Sequence, residues 1–147
     1  MAQLTEAATG LELIQAIFDG HLPPPGASVS LGIYGVSAEA GRVVFAMHPG
    51  ADHTNPEGTT HGGVLATMLD SAMTCAVLSM LPAGHRATTL EISVRFLRPV
   101  PPGIGRVEAE GVAVNVGRRV GTAEGRITGA EGTLYATATT TCLVLEP

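Results

Sequence analysis

The chain has 147 residues, a formal net charge of −5 and all eight of its basic side chains as Arg. One domain with a real core fits that length; an acidic balance argues against a general nucleic-acid binder, and 45% hydrophobic content argues against disorder. Charged residues are only 14%, against about 25% in typical soluble domains, and mean hydropathy is +0.30, so the chain either sits in a membrane or hides apolar surface against copies of itself.

In chain order, Leu4, Ala8, Leu11, Ile14 and Phe18 recur at helical spacing and predict a helix over 1–20, ended by Gly20. The Pro-rich run 22–26 is a connector. Alternating apolar and polar residues predict strands over 28–38 and 42–48, with 39–41 as their turn. Residues 49–60 (PGADHTNPEGTT) read as a loop. The apolar segment 61–81 reads as a long helix stopped by Pro82-Ala83-Gly84, and four strands follow over 87–97, 104–115, 118–128 and 133–145. The expectation is one α+β domain over 1–147. Residues 1–25 form its helix and connector, and a largely antiparallel sheet carries the long helix across it. Neither a basic amino-terminal region nor an A-x-A site suggests a signal peptide, so the cytoplasm is the expected location. Cys75 and Cys142 lie in apolar runs without zinc-site spacing and read as buried free thiols; no metal is expected.

The segment 61–81 reaches the length of a membrane span. Asp70 at its middle, flanked by Thr67, Ser71 and Thr74, argues against insertion, since a central Asp costs about 2.5–3.5 kcal/mol. A helix apolar on nearly every side also suits a protein core. Asp70 is the only charged residue between His61 and His85. A carboxylate there could cap a neighbour, pair with an Arg, or work. The opening His61-Gly62-Gly63 favours work, because two glycines weaken a helix start and permit close approach to its backbone. First-turn N–H groups carry the positive end of the helix dipole and suit a developing oxyanion. Gly62 and Asp70 are eight residues apart, about 12 Å along one helix. One substrate carbonyl cannot touch both. If both act on it, they come from different chains, which predicts a symmetric homodimer with shared sites and accounts for the apolar excess.

The motif Asn55-Pro56-Glu57-Gly58-Thr59-Thr60-His61-Gly62-Gly63, continued by Ala66-Thr67-Met68-Leu69-Asp70-Ser71-Ala72, resembles the signature of hotdog-fold acyl-CoA thioesterases. The branch it most resembles is the phenylacetate-degradation type of the 4-hydroxybenzoyl-CoA thioesterase superfamily. Similarity continues through Leu90–Pro99 and at Gly117-Arg118-Arg119, and covers roughly residues 30–145. The resemblance implies a curved antiparallel sheet wrapped around the central helix and hydrolysis of a small or medium acyl-CoA, aromatic acyl groups included. It implies Asp70 as general base or nucleophile, the Gly62 amide as oxyanion donor and Asn55 as the group orienting water or thioester. It also implies a Ser or Thr in the following strand assisting the carboxylate, at Thr89 or its neighbour Thr88. His61 is either a general acid or a structural residue of the helix start. Arg118 and Arg119 after Gly117 match where such enzymes meet CoA phosphates, and guanidinium forks suit that task; Arg98 is a further candidate for CoA contact.

Arg42, Arg106 and Arg126 read as ordinary surface charges. Ser71 lacks the G-x-S-x-G elbow of a serine nucleophile. Met68, Met73 and Val77 are expected to line the acyl pocket. No cofactor is expected beyond the CoA of the substrate, and dimers are expected to pair into a homotetramer. The rival from another class is a non-catalytic acyl-CoA-binding or regulatory domain of the same fold, which gains little from Asp70.

Overall fold

The structure, a computed structural model, describes residues 7–147. Leu4, expected on the first helix, lies outside them. Helix α1 spans Gly10–Phe18. Thr9 caps it, and Glu12 reaches back to the Thr9 N–H to complete a capping box. The helix starts hard against the chain's centre: the Gly10 N–H donates to Leu81 O at 3.2 Å. A Cβ at Gly10 would lie 1.8 Å from Leu78 O, so only glycine fits there.

The strand expected over 28–38 is two elements. Helix α2 occupies Gly26–Leu31 and ends at Gly32, which takes the left-handed conformation (φ 63°). Strand β1 then begins at Tyr34 and runs to Glu39. Alternation misled here because Val29, apolar by type, is 65% exposed on α2. The hairpin turn falls as expected at Ala40-Gly41, with Gly41 at φ 80°, and β2 follows over Arg42–Met47. The long helix α3 is Gly62–Leu78. The last four strands are β3 (Arg86–Phe96), β4 (Val107–Val116), β5 (Val120–Thr128) and β6 (Leu134–Leu145).

All six strands join one antiparallel sheet in the order β1-β2-β4-β5-β6-β3. Helix α3 lies across it and buries Leu65, Met68, Leu69, Ala72, Met73, Ala76 and Val77. This is the α+β hotdog architecture the sequence suggests. Glycines on the sheet let the helix approach closely. A Cβ at Gly111 of β4 would stand 2.3 Å from the Ala72 carbonyl oxygen, and one at Gly121 of β5 would stand 2.4 Å from a Val77 methyl carbon. At Gly111 the obstacle is helix backbone, so a methyl can enter only if α3 lifts off the sheet. Gly111→Ala should therefore cost at least the upper end of the about 1–3 kcal/mol typical of overpacking. A denaturant midpoint unchanged by that substitution would contradict this packing.

Among the described residues neither edge of the sheet pairs with a further strand, and β3 is one of those edges. Its register against β6 skips at Leu90, between the Thr89–Cys142 and Glu91–Thr141 pairs. The extra residue shifts the inward set from Ala87 and Thr89 to Ile92 and Val94, and it turns Leu90 out to 59% exposure. No helix among the described residues is long and apolar enough to cross a membrane.

Candidate active site

Asp70 sits near the middle of α3 on the flank away from Leu69, Ala72 and Met73, and is half-buried. Thr89 Oγ1 donates to Asp70 Oδ1 at 2.6 Å. Thr74, one helical turn on, approaches the same oxygen at 3.4 Å and meets Thr89 Oγ1 at 2.9 Å. Short bonds of this kind to a carboxylate are the stronger, charge-assisted sort. Among the described residues no side chain bonds Oδ2 and no Arg forms an ion pair with Asp70. One carboxylate oxygen is thus held while the other stays available. Of the two threonine candidates it is Thr89 that bonds the carboxylate, and Thr88 is exposed.

A cavity of about 280 Å³ opens beside this carboxylate. Ser71, Thr74 and Cys75 from α3, Thr89 from β3, Phe45 from β2 and Ile14, Ile17 and Phe18 from α1 contribute to its walls. Cys75 is no nucleophile: burial, reinforced by the nearby Asp70 and Cys142, pushes its thiol up to about 12. Both cysteines are free, as expected. Met68, Met73 and Val77 do not line this cavity. All three are fully buried in the core, with Met73 and Val77 against Gly125 and Gly121 of the sheet. The uniform oiliness of α3 hid which of its sides faces the sheet and which faces the cavity.

At the amino-terminal end of α3 a second cleft is lined by Asn55, Thr59, Gly62, Phe96 and Arg98. His61 is the helix cap, and its Nδ1 accepts from the Gly63 N–H at 2.9 Å. That bond requires a lone pair on Nδ1, which puts the ring proton of the neutral imidazole on Nε2. The geometry supplies the structural duty considered for His61. The cap takes the Gly63 amide and leaves the Gly62 N–H without an acceptor among the described residues. Asn55 holds its own loop: Oδ1 accepts from the N–H groups of Glu57 and Thr59, and Nδ2 donates to Thr59 Oγ1. One Nδ2 hydrogen remains for a ligand.

One cleft sits at the amino-terminal end of α3 and the other at its middle, eight residues or about 12 Å further along, so a single subunit does not bring Gly62 and Asn55 to Asp70. The arginines also divide. Arg98 lies at the Gly62 cleft, where it donates to Leu134 O. Arg118 and Arg119, in the β4–β5 turn that Gly117 opens, line a groove with Leu143–Glu146. Val120 pairs with Leu143, which pairs with Thr88, so this groove lies about two strand spacings, or 10 Å, from the Thr89 region. Arg118 is held by Glu146 at 2.9 Å, an exposed pair. Arg42 and Arg126 both meet Glu110, and Arg106 meets Glu108, as surface charges would.

The sequence model of the thioesterase superfamily matches residues 57–136, more than half of the chain. The chain belongs to the thioesterase superfamily. It is a thioester hydrolase. A Halobacterium salinarum protein designated an esterase is 34% identical over 124 residues, covering 81% of this chain and 78% of its own. Human acyl-coenzyme A thioesterase 13 is 34% identical over 68 residues, 46% of this chain and 48% of that protein. Among solved structures, a Ralstonia eutropha thioesterase related to phenylacetic acid degradation superposes with a TM-score of 0.79 at 29% identity, over 88% of this chain and 98% of that one.

Two features of this thioesterase's site escape a reading of the sequence. Thr74 is signalled only by its i+4 spacing from Asp70, which puts both on one helix face. Helix α1 lies outside the matched segment and gives no motif, yet it walls the cavity. Thr89→Val removes the hydroxyl while keeping the shape. A hydrogen bond to a charged group contributes about 1.5–3 kcal/mol, so turnover should fall roughly ten- to hundredfold with little change in KM. An unchanged kcat would remove Thr89 from the site.

Proposed function

We propose that this thioesterase hydrolyses small or medium acyl-CoA thioesters, aromatic ones included, to the free acid and CoA. The sites are shared between the two subunits of a homodimer. The observation that carries this reading is the Asp70 carboxylate, anchored by Thr89 through Oδ1 and open at Oδ2 beside an apolar cavity. Human acyl-coenzyme A thioesterase 13 supports CoA as the thiol part of the substrate.

In the reaction, the acyl group enters the cavity and the thioester carbonyl meets the Gly62 N–H of the partner subunit. Asp70 takes a proton from water as water attacks the carbonyl carbon, or attacks that carbon itself to form an acyl-Asp70 anhydride that water hydrolyses once CoA has left. Either way, negative charge develops on the carbonyl oxygen and the Gly62 N–H stabilises it, helped by the α3 dipole. Collapse expels CoA as a thiolate, whose modest basicity lets it leave without a strong acid. Asn55 uses its remaining Nδ2 hydrogen to orient water or thioester. Arg119 and Arg118 meet the CoA phosphates from the Asp70 side, and Arg98 meets them from the Gly62 side. No cofactor takes part beyond the CoA of the substrate.

The free edge of β3 supports the shared site. Thr89 lies near one end of that strand and Phe96, which packs on Gly62, at the other. Two such edges paired antiparallel about a two-fold axis bring the Asp70 cleft of one subunit to the Gly62 cleft of its partner. Leu90 and Phe96, 59% and 51% exposed, are covered by that pairing. Exposed Val112, Val114 and Val120 leave apolar surface for dimers to join as a tetramer. A thiol-release assay over a panel of acyl-CoAs tests the activity. Release with phenylacetyl- or hexanoyl-CoA is expected, and none across the panel overturns the assignment of substrate.

A further inference from the structure

We infer that helix α1, through Phe18 and Ile17, sets the size limit of the acyl group; the inference rests on the proposed acyl-CoA reading and on the cavity beside Asp70. That cavity, about 280 Å³, is at the small end of ligand pockets, which run about 300–1,000 Å³. Its catalytic wall comes from α3 and β3, and α1 supplies Ile14, Ile17 and Phe18.

Phe18 is fixed in place. Its ring meets Phe45 edge-to-face, with centroids 5.0 Å apart and planes at 82°. It also covers Gly35 of β1 so closely that a Cβ there would lie 2.1 Å from the ring. The helix beneath it is tied to the rest of the chain at its start and near its middle. The Thr9–Glu12 capping box and the Gly10–Leu81 hydrogen bond hold its start, and Gln15 Nε2 donates to Ala38 O at 3.2 Å nearer its end. A wall held by these contacts selects by excluding bulk. Two rings meeting edge-to-face also present an aromatic lining, which suits a flat aryl group. The substrate class that fits is a compact acyl group, arylacetyl or short aliphatic, and the selecting element lies outside residues 57–136, where the superfamily match falls.

The test compares kcat/KM for lauroyl-CoA and phenylacetyl-CoA in the wild type, Phe18→Ala and Ile17→Phe. The wild type should prefer phenylacetyl-CoA. Phe18→Ala should raise the lauroyl-to-phenylacetyl ratio at least tenfold, and Ile17→Phe should lower the phenylacetyl-to-acetyl ratio at least tenfold, because acetyl needs less room. A merely structural Phe18 would depress all substrates together and leave the ratio unmoved. If Phe18→Ala fails to fold, Ile17→Phe decides. Ratios within twofold of wild type in every folded variant overturn the inference. A wild type inactive on all three substrates overturns the acyl-CoA reading instead, a result distinct from an active enzyme with an unmoved ratio.

Discussion

Asp70→Asn should abolish thioester hydrolysis while leaving fold and oligomer intact. Asparagine matches the carboxylate in shape, and its carbonyl oxygen can still accept from Thr89, so the local packing survives. What it lacks is the negative charge that takes a proton or attacks carbon. General-base catalysis alone is worth about 10²–10⁴-fold, and the same group is also the candidate nucleophile, the Cys75 thiol at this cavity being held protonated. A loss of at least about 10³-fold in kcat follows. Thermal denaturation and size-exclusion chromatography should match wild type. Turnover within tenfold of wild type would remove Asp70 from the chemistry.

Gly62→Pro should be nearly as damaging, and it isolates a single N–H. Gly62 is the first residue of α3, where proline is favoured because the amide has no helical acceptor to lose. The preceding His61, at φ −59° and ψ 133°, already has the extended conformation that a following proline requires. The helix should therefore tolerate the change and the oxyanion should not. Loss of one such donor costs about 2.7–4 kcal/mol, or 10²–10³-fold in kcat. Gly62→Ala is the control. Its Cβ comes nearest the Phe96 ring, at 3.0 Å, and it keeps the N–H. Alanine should retain far more activity than proline; equal losses would assign the effect to crowding against Phe96 rather than to the amide.

Much of this was legible in the residues. Asp70 stood out because the surrounding segment is so poor in charge. His61-Gly62-Gly63 marks a helix start open to a ligand, and the eight-residue spacing alone separates its amide from the carboxylate. Strong turn chemistry located the hairpins. What stayed hidden depends on contacts between segments distant in sequence. Alternation cannot reveal a bulge, so the phase change at Leu90 was invisible, and with it the reason Thr89 and Ile92 share a face. Helix α2 is too short to show a period, and its left-handed Gly32 looks like any turn glycine. Met68, Met73 and Val77 read as pocket residues because α3 is apolar all round; only the glycines at 121 and 125 show that Met73 and Val77 pack down into the sheet. The role of α1 follows from tertiary docking, which its own amphipathic pattern does not direct to any one place.

The central claim is that one catalytic site draws Asp70 from one chain and Gly62 from its partner. Mixing the two inactive variants tests it directly. After subunit exchange, a dimer of one Asp70→Asn chain and one Gly62→Pro chain holds one doubly damaged site and one intact site. With random pairing in a two-fold dimer, about a quarter of wild-type activity should return, from two preparations that are each inactive alone. A site built within one chain would leave every copy defective, and an exchanged mixture no more active than its separate components would contradict the shared site.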